Sequence, residues 1–143
     1  MPKPRILIVD DEKRFVTTLI KQLTERKLDV SGVYNGKEAI REVKNKLYDV
    51  IILDVKMPGL DGTETLQELK KINPGIEVIM LTGHGSVASA VEGMRLGAYE
   101  YLIKPCEIEE LMEKINEAYK LKAARDERIR KAEIRRMIAR SPG

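Results

Sequence analysis

Four aliphatic residues in succession, Val50 to Leu53 (VIIL), lead directly into a lone acid, Asp54, and Pro58, Gly59 and Gly62 break the chain before the next periodic segment. A strand without polar alternation has no face for solvent, so it is covered on both sides, as inner strands of a parallel sheet are. Asp54 then stands at the carboxyl end of that strand, where the chain turns into a loop. This arrangement constrains the rest of the chain.

Four further strands follow, of which Leu28 to Val33 alternates weakly. Arg5 to Val9 (RILIV) ends on Asp10 and Asp11, Leu28 to Val33 ends before Asn35-Gly36, Ile76 to Leu81 leads to Thr82, and Tyr99 to Ile103 runs into Lys104-Pro105. Apolar stripes at helical spacing separate them: Val16, Leu19, Ile20 and Leu23; Ala39, Ile40, Val43 and Leu47; Leu66 and Leu69; Val87, Ala90, Val91 and Met94; Ile108, Leu111, Met112, Ile115 and Tyr119. Ser86 is placed to cap the fourth helix. Gly93 lies inside that helix, where it costs ~1 kcal/mol relative to alanine, so this helix is expected to be the softest. Five strand-then-helix units require a parallel sheet with helices on both faces, joined by right-handed crossovers. The expected architecture is a flavodoxin-like, doubly wound (βα)5 sandwich of strand order 2-1-3-4-5, with the first and third strands adjacent at the topological switch point.

With 43% hydrophobic residues in 143, the chain can bury one core. The expected division is one domain over residues 1–120 and a basic, solvated helical extension or linker over 121–143. Residues 119–143 carry nine Lys or Arg against three acids, so the net charge of +3 belongs to the tail and the body is net acidic. Direct nucleic-acid contact is therefore not expected. No apolar stretch is long enough for a membrane span, no secretory signal is visible, and the single Cys106 excludes an internal disulfide. A cytoplasmic protein is the simplest expectation.

In the expected strand order Asp10 and Asp11 lie one strand spacing, ~5 Å, from Asp54. Two carboxylate charges at that distance repel by roughly 3 kcal/mol at an effective dielectric of about 20, enough to raise one pKa by about 2 units. A cation relieves this, and an all-oxygen site with few carboxylates suits Mg²⁺. Lys104, two strands from Asp54, can stretch back to the acids as a point charge, and Pro105 after it can hold a cis bond in a tight turn. Thr82, on the strand between them, brings a hydroxyl to the same edge.

Together, Asp10-Asp11, Asp54 with Met57-Pro58-Gly59, Thr82-Gly83 and Lys104-Pro105 resemble the receiver domain of two-component response regulators, over residues 5 to about 120. The resemblance implies that Asp54 accepts a phosphoryl group from a sensor histidine kinase or histidine phosphotransfer protein, and that the domain is not a turnover enzyme. It implies Mg²⁺ held by Asp11, Asp54 and the backbone carbonyl of Lys56, with Asp10 acting mostly through water. Tyr101 matches the family's switch aromatic, expected to rotate inward when Thr82 moves. The face of the fourth helix, fifth strand and fifth helix is then the signalling face and, with the C-terminal helix, a candidate surface for a homodimer. Lys56 and His84 occupy positions that tune the lifetime of the phosphoryl group. Two rivals are weaker. An aspartyl phosphatase of the haloacid-dehalogenase type needs a second Asp where Lys56 stands, and a nucleic-acid-binding regulator acting through the basic tail lacks a DNA-binding motif there.

Overall fold

A computed structural model describes residues 3–140. Five strands, β1 (Arg5–Val9), β2 (Asp29–Val33), β3 (Val50–Leu53), β4 (Glu77–Thr82) and β5 (Glu100–Ile103), alternate with five helices. These are α1 (Lys13–Glu25), α2 (Gly36–Asn45), α3 (Gly62–Ile72), α4 (Val87–Arg95) and α5 (Ile108–Arg140). All strand pairs are parallel and the order is β2-β1-β3-β4-β5, the expected flavodoxin-like topology. Every residue of β3 and β4 is buried, as their unbroken apolar runs require.

The pleat divides the core in two. Leu7, Val9, Ile51, Leu53, Val78 and Met80 point to the side covered by α2 and α3, and Ile6, Ile8, Val50, Ile52, Ile79 and Leu81 to the side covered by α1 and α5. Helix starts are set by short polar side chains. Asn35 caps α2 by accepting from Glu38 N–H, and Asp61 caps α3 in a reciprocal box with Glu64. Ser86 caps α4 as expected, here with Ser89 as the reciprocal partner.

Two stripes differ from the sequence expectation. Leu47 lies past the end of α2 and is 78% exposed, because the helix stops at Asn45. In α4 the apolar residues expected inside face out, with Val87 82%, Val91 61% and Met94 45% exposed, while Gly93 is buried. The reason is close approach: a Cβ on Gly93 would lie 2.5 Å from Met80 Sδ and 3.7 Å from the Tyr101 ring. Without that Cβ, the helix settles on its smallest face.

The last helix runs unbroken from Ile108 to Arg140, through residue 120, and the expected stop at Ser141 to Gly143 lies outside the described residues. Its first turns bury Leu111, Ile115 and Ala118 against the sheet. The same face continues past Tyr119 in ionic form, with Lys122 3.4 Å from Asp49 and Arg125 paired with Glu77, which is 3% exposed. The extension is thus not wholly solvated. Among the described residues, no helix is long and apolar enough to cross a membrane.

Candidate functional site

The site forms at the carboxyl ends of β1, β3, β4 and β5. Val9 pairs with Leu53, and Asp54 N–H donates to Val9 C=O at 2.9 Å, so Asp10 and Asp54 leave adjacent strands together. The loop after Asp54 is drawn back by Gly62, whose N–H donates to Val55 C=O at 2.7 Å. A Cβ on Gly62 would lie 2.6 Å from Val55 Cα, so the start of α3 can sit this close to Asp54 only as glycine.

Carboxylate oxygens of Asp10, Glu12 and Asp54 lie within 4.8 Å of one another, a group able to hold a metal ion. Asp10 and Asp54 are each 2% exposed. Asp54 Oδ1 is buried with no hydrogen-bond partner, so it is an acceptor awaiting a ligand. Glu12 was not foreseen, and Asp11, expected in the cluster, lies outside it. Asp11 is exposed and lines a neighbouring open cavity of about 480 Å³ with Tyr34, Lys37, Arg41 and Gly59. The chain bends at Asp11, where Asp10 Oδ1 accepts from Glu12 N–H at 2.9 Å, and this short turn folds Glu12 back beside Asp10 and leaves Asp11 outside. The spacing of two was the available signal for Glu12.

Lys104 reaches across two strands, as expected, to place Nζ 2.7 Å from Asp10 Oδ2 and 3.2 Å from Glu12 Oε1. The Lys104–Pro105 bond is cis. Burial raises the Asp10 pKa above the ordinary aspartate value; hydrogen bonds from Lys104 and from Glu12 N–H offset this only in part, and the charge of Asp54 adds to the rise. Burial works against the Lys104 ammonium, but its bond to Asp10, with the charges of Glu12 and Asp54, outweighs this and leaves its pKa above the ordinary lysine value.

Thr82 is fully buried at the end of β4; its Oγ1 accepts from His84 N–H at 3.0 Å and its carbonyl accepts from Lys104 N–H at 2.8 Å. Tyr101 is half-buried between β5 and α4, with its hydroxyl 2.5 Å from Ser89 Oγ. That link between Tyr101 and α4 has no signature in the sequence. Lys56 and His84, two residues past Asp54 and Thr82, are both exposed, and Cys106, half-buried after Pro105, packs against the α1–α5 side of the core.

Known proteins resemble this chain in sequence and fold. A family model described as the response regulator receiver domain matches residues 6–116. The transcriptional regulatory protein ZraR of Salmonella typhimurium is 38% identical over 113 residues, covering 79% of this chain but 26% of its own length. The uncharacterized transcriptional regulatory protein YkoG of Bacillus subtilis is 36% identical over 129 residues, covering 90% of this chain and 57% of that protein. This chain therefore spans about a quarter of the ZraR relatives it matches. Among solved structures, a CheY-like receiver domain from Methanospirillum hungatei superposes with a TM-score of 0.83 at 30% identity, covering 87% of this chain and 99% of that one. A receiver domain from Clostridium thermocellum gives 0.81 at 36% identity, covering 85% and 98%. Strand order, the acids at the switch point and a family match across most of the sequence lead to one conclusion: this chain belongs to the receiver domains of response regulators.

Proposed function

We propose that Asp54 is the phosphoacceptor of this receiver domain, taking a phosphoryl group from a phosphohistidine on a sensor kinase or a histidine phosphotransfer protein. The observation that carries this is the buried, unpartnered Oδ1 of Asp54 beside two other acids and within the field of the Lys104 ammonium. A carboxylate oxygen of Asp54 attacks phosphorus as the bond to the imidazole nitrogen breaks; the nitrogen keeps the bonding pair, and an acyl phosphate results.

The donor set is all oxygen, with few carboxylates and an orphaned acceptor, and it fits Mg²⁺. Asp54 and Asp10 would hold the ion, with Glu12 within reach and Asp11 and the Lys56 carbonyl as the further ligands implied by the family. When bound, Mg²⁺ supplies positive charge that offsets repulsion between the acids and the incoming phosphoryl oxygens. Lys104 pairs with a phosphoryl oxygen, and Thr82 turns its hydroxyl toward another. Lys56 and His84 flank the group and tune its hydrolysis. The domain assists its own phosphotransfer and dephosphorylation without acting as a turnover enzyme.

The signal leaves through α4, β5 and α5. Movement of Thr82 reaches His84 through their hydrogen bond, and Tyr101 is tied to α4 through Ser89. The outer surface there carries exposed Val87, Val91, Met94 and Ile103, suited to a partner or a second copy. The NtrC4 receiver domain, 36% identical with a TM-score of 0.78, is described as a dimer when activated by beryllofluoride. Residues 121–143 act as the link to an output domain or partner in the cytoplasm, as the transcriptional role in ZraR's name suggests by analogy.

The test is incubation with acetyl phosphate and Mg²⁺, read by intact mass. Wild type is expected to gain one phosphoryl group and Asp54→Asn none; equal gain by both would remove Asp54 from this role.

A further inference from the structure

We propose that Phe15 is a positioning residue for Lys104: its ring is the wall that keeps the ammonium inside the pocket, where it can pass from Asp10 to a phosphoryl group on Asp54. This rests on the reading of Asp54 as acceptor. The Lys104 Nζ lies 4.0 Å from the centre of the Phe15 ring, within the range of a cation–π contact. The ring belongs to α1, three residues past Glu12, and packs against the core that holds Val16, Leu19 and Leu102.

Three groups hold the ammonium, and they differ in kind. Asp10 is buried and lies 2.7 Å away, so it anchors the cation at the bottom of the pocket. Glu12 lies 3.2 Å away, but its side chain is 60% exposed and its charge is screened by water and salt. A lysine head is strongly hydrated and tends to extend toward solvent when its stem allows. Yet the Lys104 side chain is only 13% exposed, and the Phe15 face is the apolar surface against the ammonium. The ring attracts the cation without neutralising it. It therefore confines Lys104 and leaves its charge available to developing phosphoryl oxygens, which is preorganisation rather than trapping.

The experiment compares wild type, Phe15→Leu and Phe15→Tyr in two measurements. The first is the rate of phosphorylation by acetyl phosphate with Mg²⁺, followed by intact mass. The second is acylation of Lys104 by a water-soluble activated ester, which releases N-hydroxysuccinimide as the amide forms, without Mg²⁺ or phosphodonor, read by peptide mass spectrometry. Phe15→Leu should phosphorylate about three- to tenfold more slowly, the factor that corresponds to ~0.6–1.4 kcal/mol for a partly desolvated cation–π contact. It should also acylate Lys104 faster, and Phe15→Tyr, which keeps the ring face, should restore both values. If Phe15→Leu matches wild type in both measurements, or Phe15→Tyr is no better than Phe15→Leu, the inference is overturned. If wild type itself takes no phosphoryl group, the acceptor reading fails instead, and the acylation rates alone decide whether Phe15 confines Lys104.

Discussion

Arg125, five residues beyond the point where the sequence pattern places the end of the domain, forms an ion pair with Glu77, the first residue of β4. The pair lies at the end of the sheet opposite the acid cluster, and next to it Lys122 bridges Asp49 and Asp126 at 3.4 and 2.7 Å. Glu77 is only 3% exposed, and Arg125 is the cation that pairs with it there.

Removing one partner should therefore cost more than removing both. Arg125→Met leaves Glu77 charged and buried and is expected to destabilise the fold by about 2 kcal/mol, a buried-pair value reduced because the Arg125 side chain is one-third exposed. Adding Glu77→Leu should recover most of that loss. Urea unfolding of the single and double variants checks the order; a double variant less stable than Arg125→Met would contradict it.

Gly93→Ala sets helix propensity against packing. The exposed-helix gain of ~1 kcal/mol is opposed by a Cβ placed 2.5 Å from Met80 Sδ, where overpacking costs roughly 1–3 kcal/mol. Net destabilisation of about 1 kcal/mol is expected in the wild-type background, and in a Met80→Ala background, itself less stable, adding Gly93→Ala should cost nothing further. A more stable Gly93→Ala in thermal unfolding would show that α4 does not depend on this contact.

The bond from Tyr48 hydroxyl to Glu42 Oε1, 2.7 Å long, should give a pH signature. Hydrogen bonds from Tyr48 and then Lys46 lower the Glu42 pKa from its ordinary value of 4.5, so that contribution is present above this pH and lost as pH falls through the depressed value. Burial and the bond to Glu42 raise the Tyr48 pKa from 10.0, so its contribution is present below this pH and lost as pH rises through the raised value. The stability difference between wild type and Tyr48→Phe, ~1 kcal/mol, should be flat between about pH 5 and 9.5 and shrink on either side. A difference that grows below pH 4 would reverse the assignment.

Phosphorylation should loosen or reseat α4, because among the described residues the side-chain hydrogen bond that ties it to β5 is the part-buried pair of Ser89 and Tyr101 hydroxyls at 2.5 Å. Hydrogen exchange over residues 86–103 is expected to change on phosphorylation of wild type and to stay unchanged in Asp54→Asn treated in the same way. Identical exchange in phosphorylated and unphosphorylated wild type would place the signalling face elsewhere.

By itself the sequence determined the strands, their order and the edge on which the chemistry gathers. Unbroken apolar runs such as Val50 to Leu53 permit only buried parallel strands, and short connections leave few ways to wind five of them. It also placed Asp10, Asp54, Thr82 and Lys104 on that edge, since each directly follows or ends a strand. Tertiary structure decided what depends on which way a side chain turns and which surface a helix lays down. A turn at Asp11, closed by the Asp10 side chain, brought Glu12 rather than Asp11 to Asp10 and Asp54. Close approach at Gly93 turned Val87, Val91 and Met94 outward, and the strand-edge acids Asp49 and Glu77 anchored a tail whose charges, read along the chain, looked only solvated. Periodicity records which residues share a face, whereas the partner that face meets is set by residues distant in the chain, and only packing brings those together.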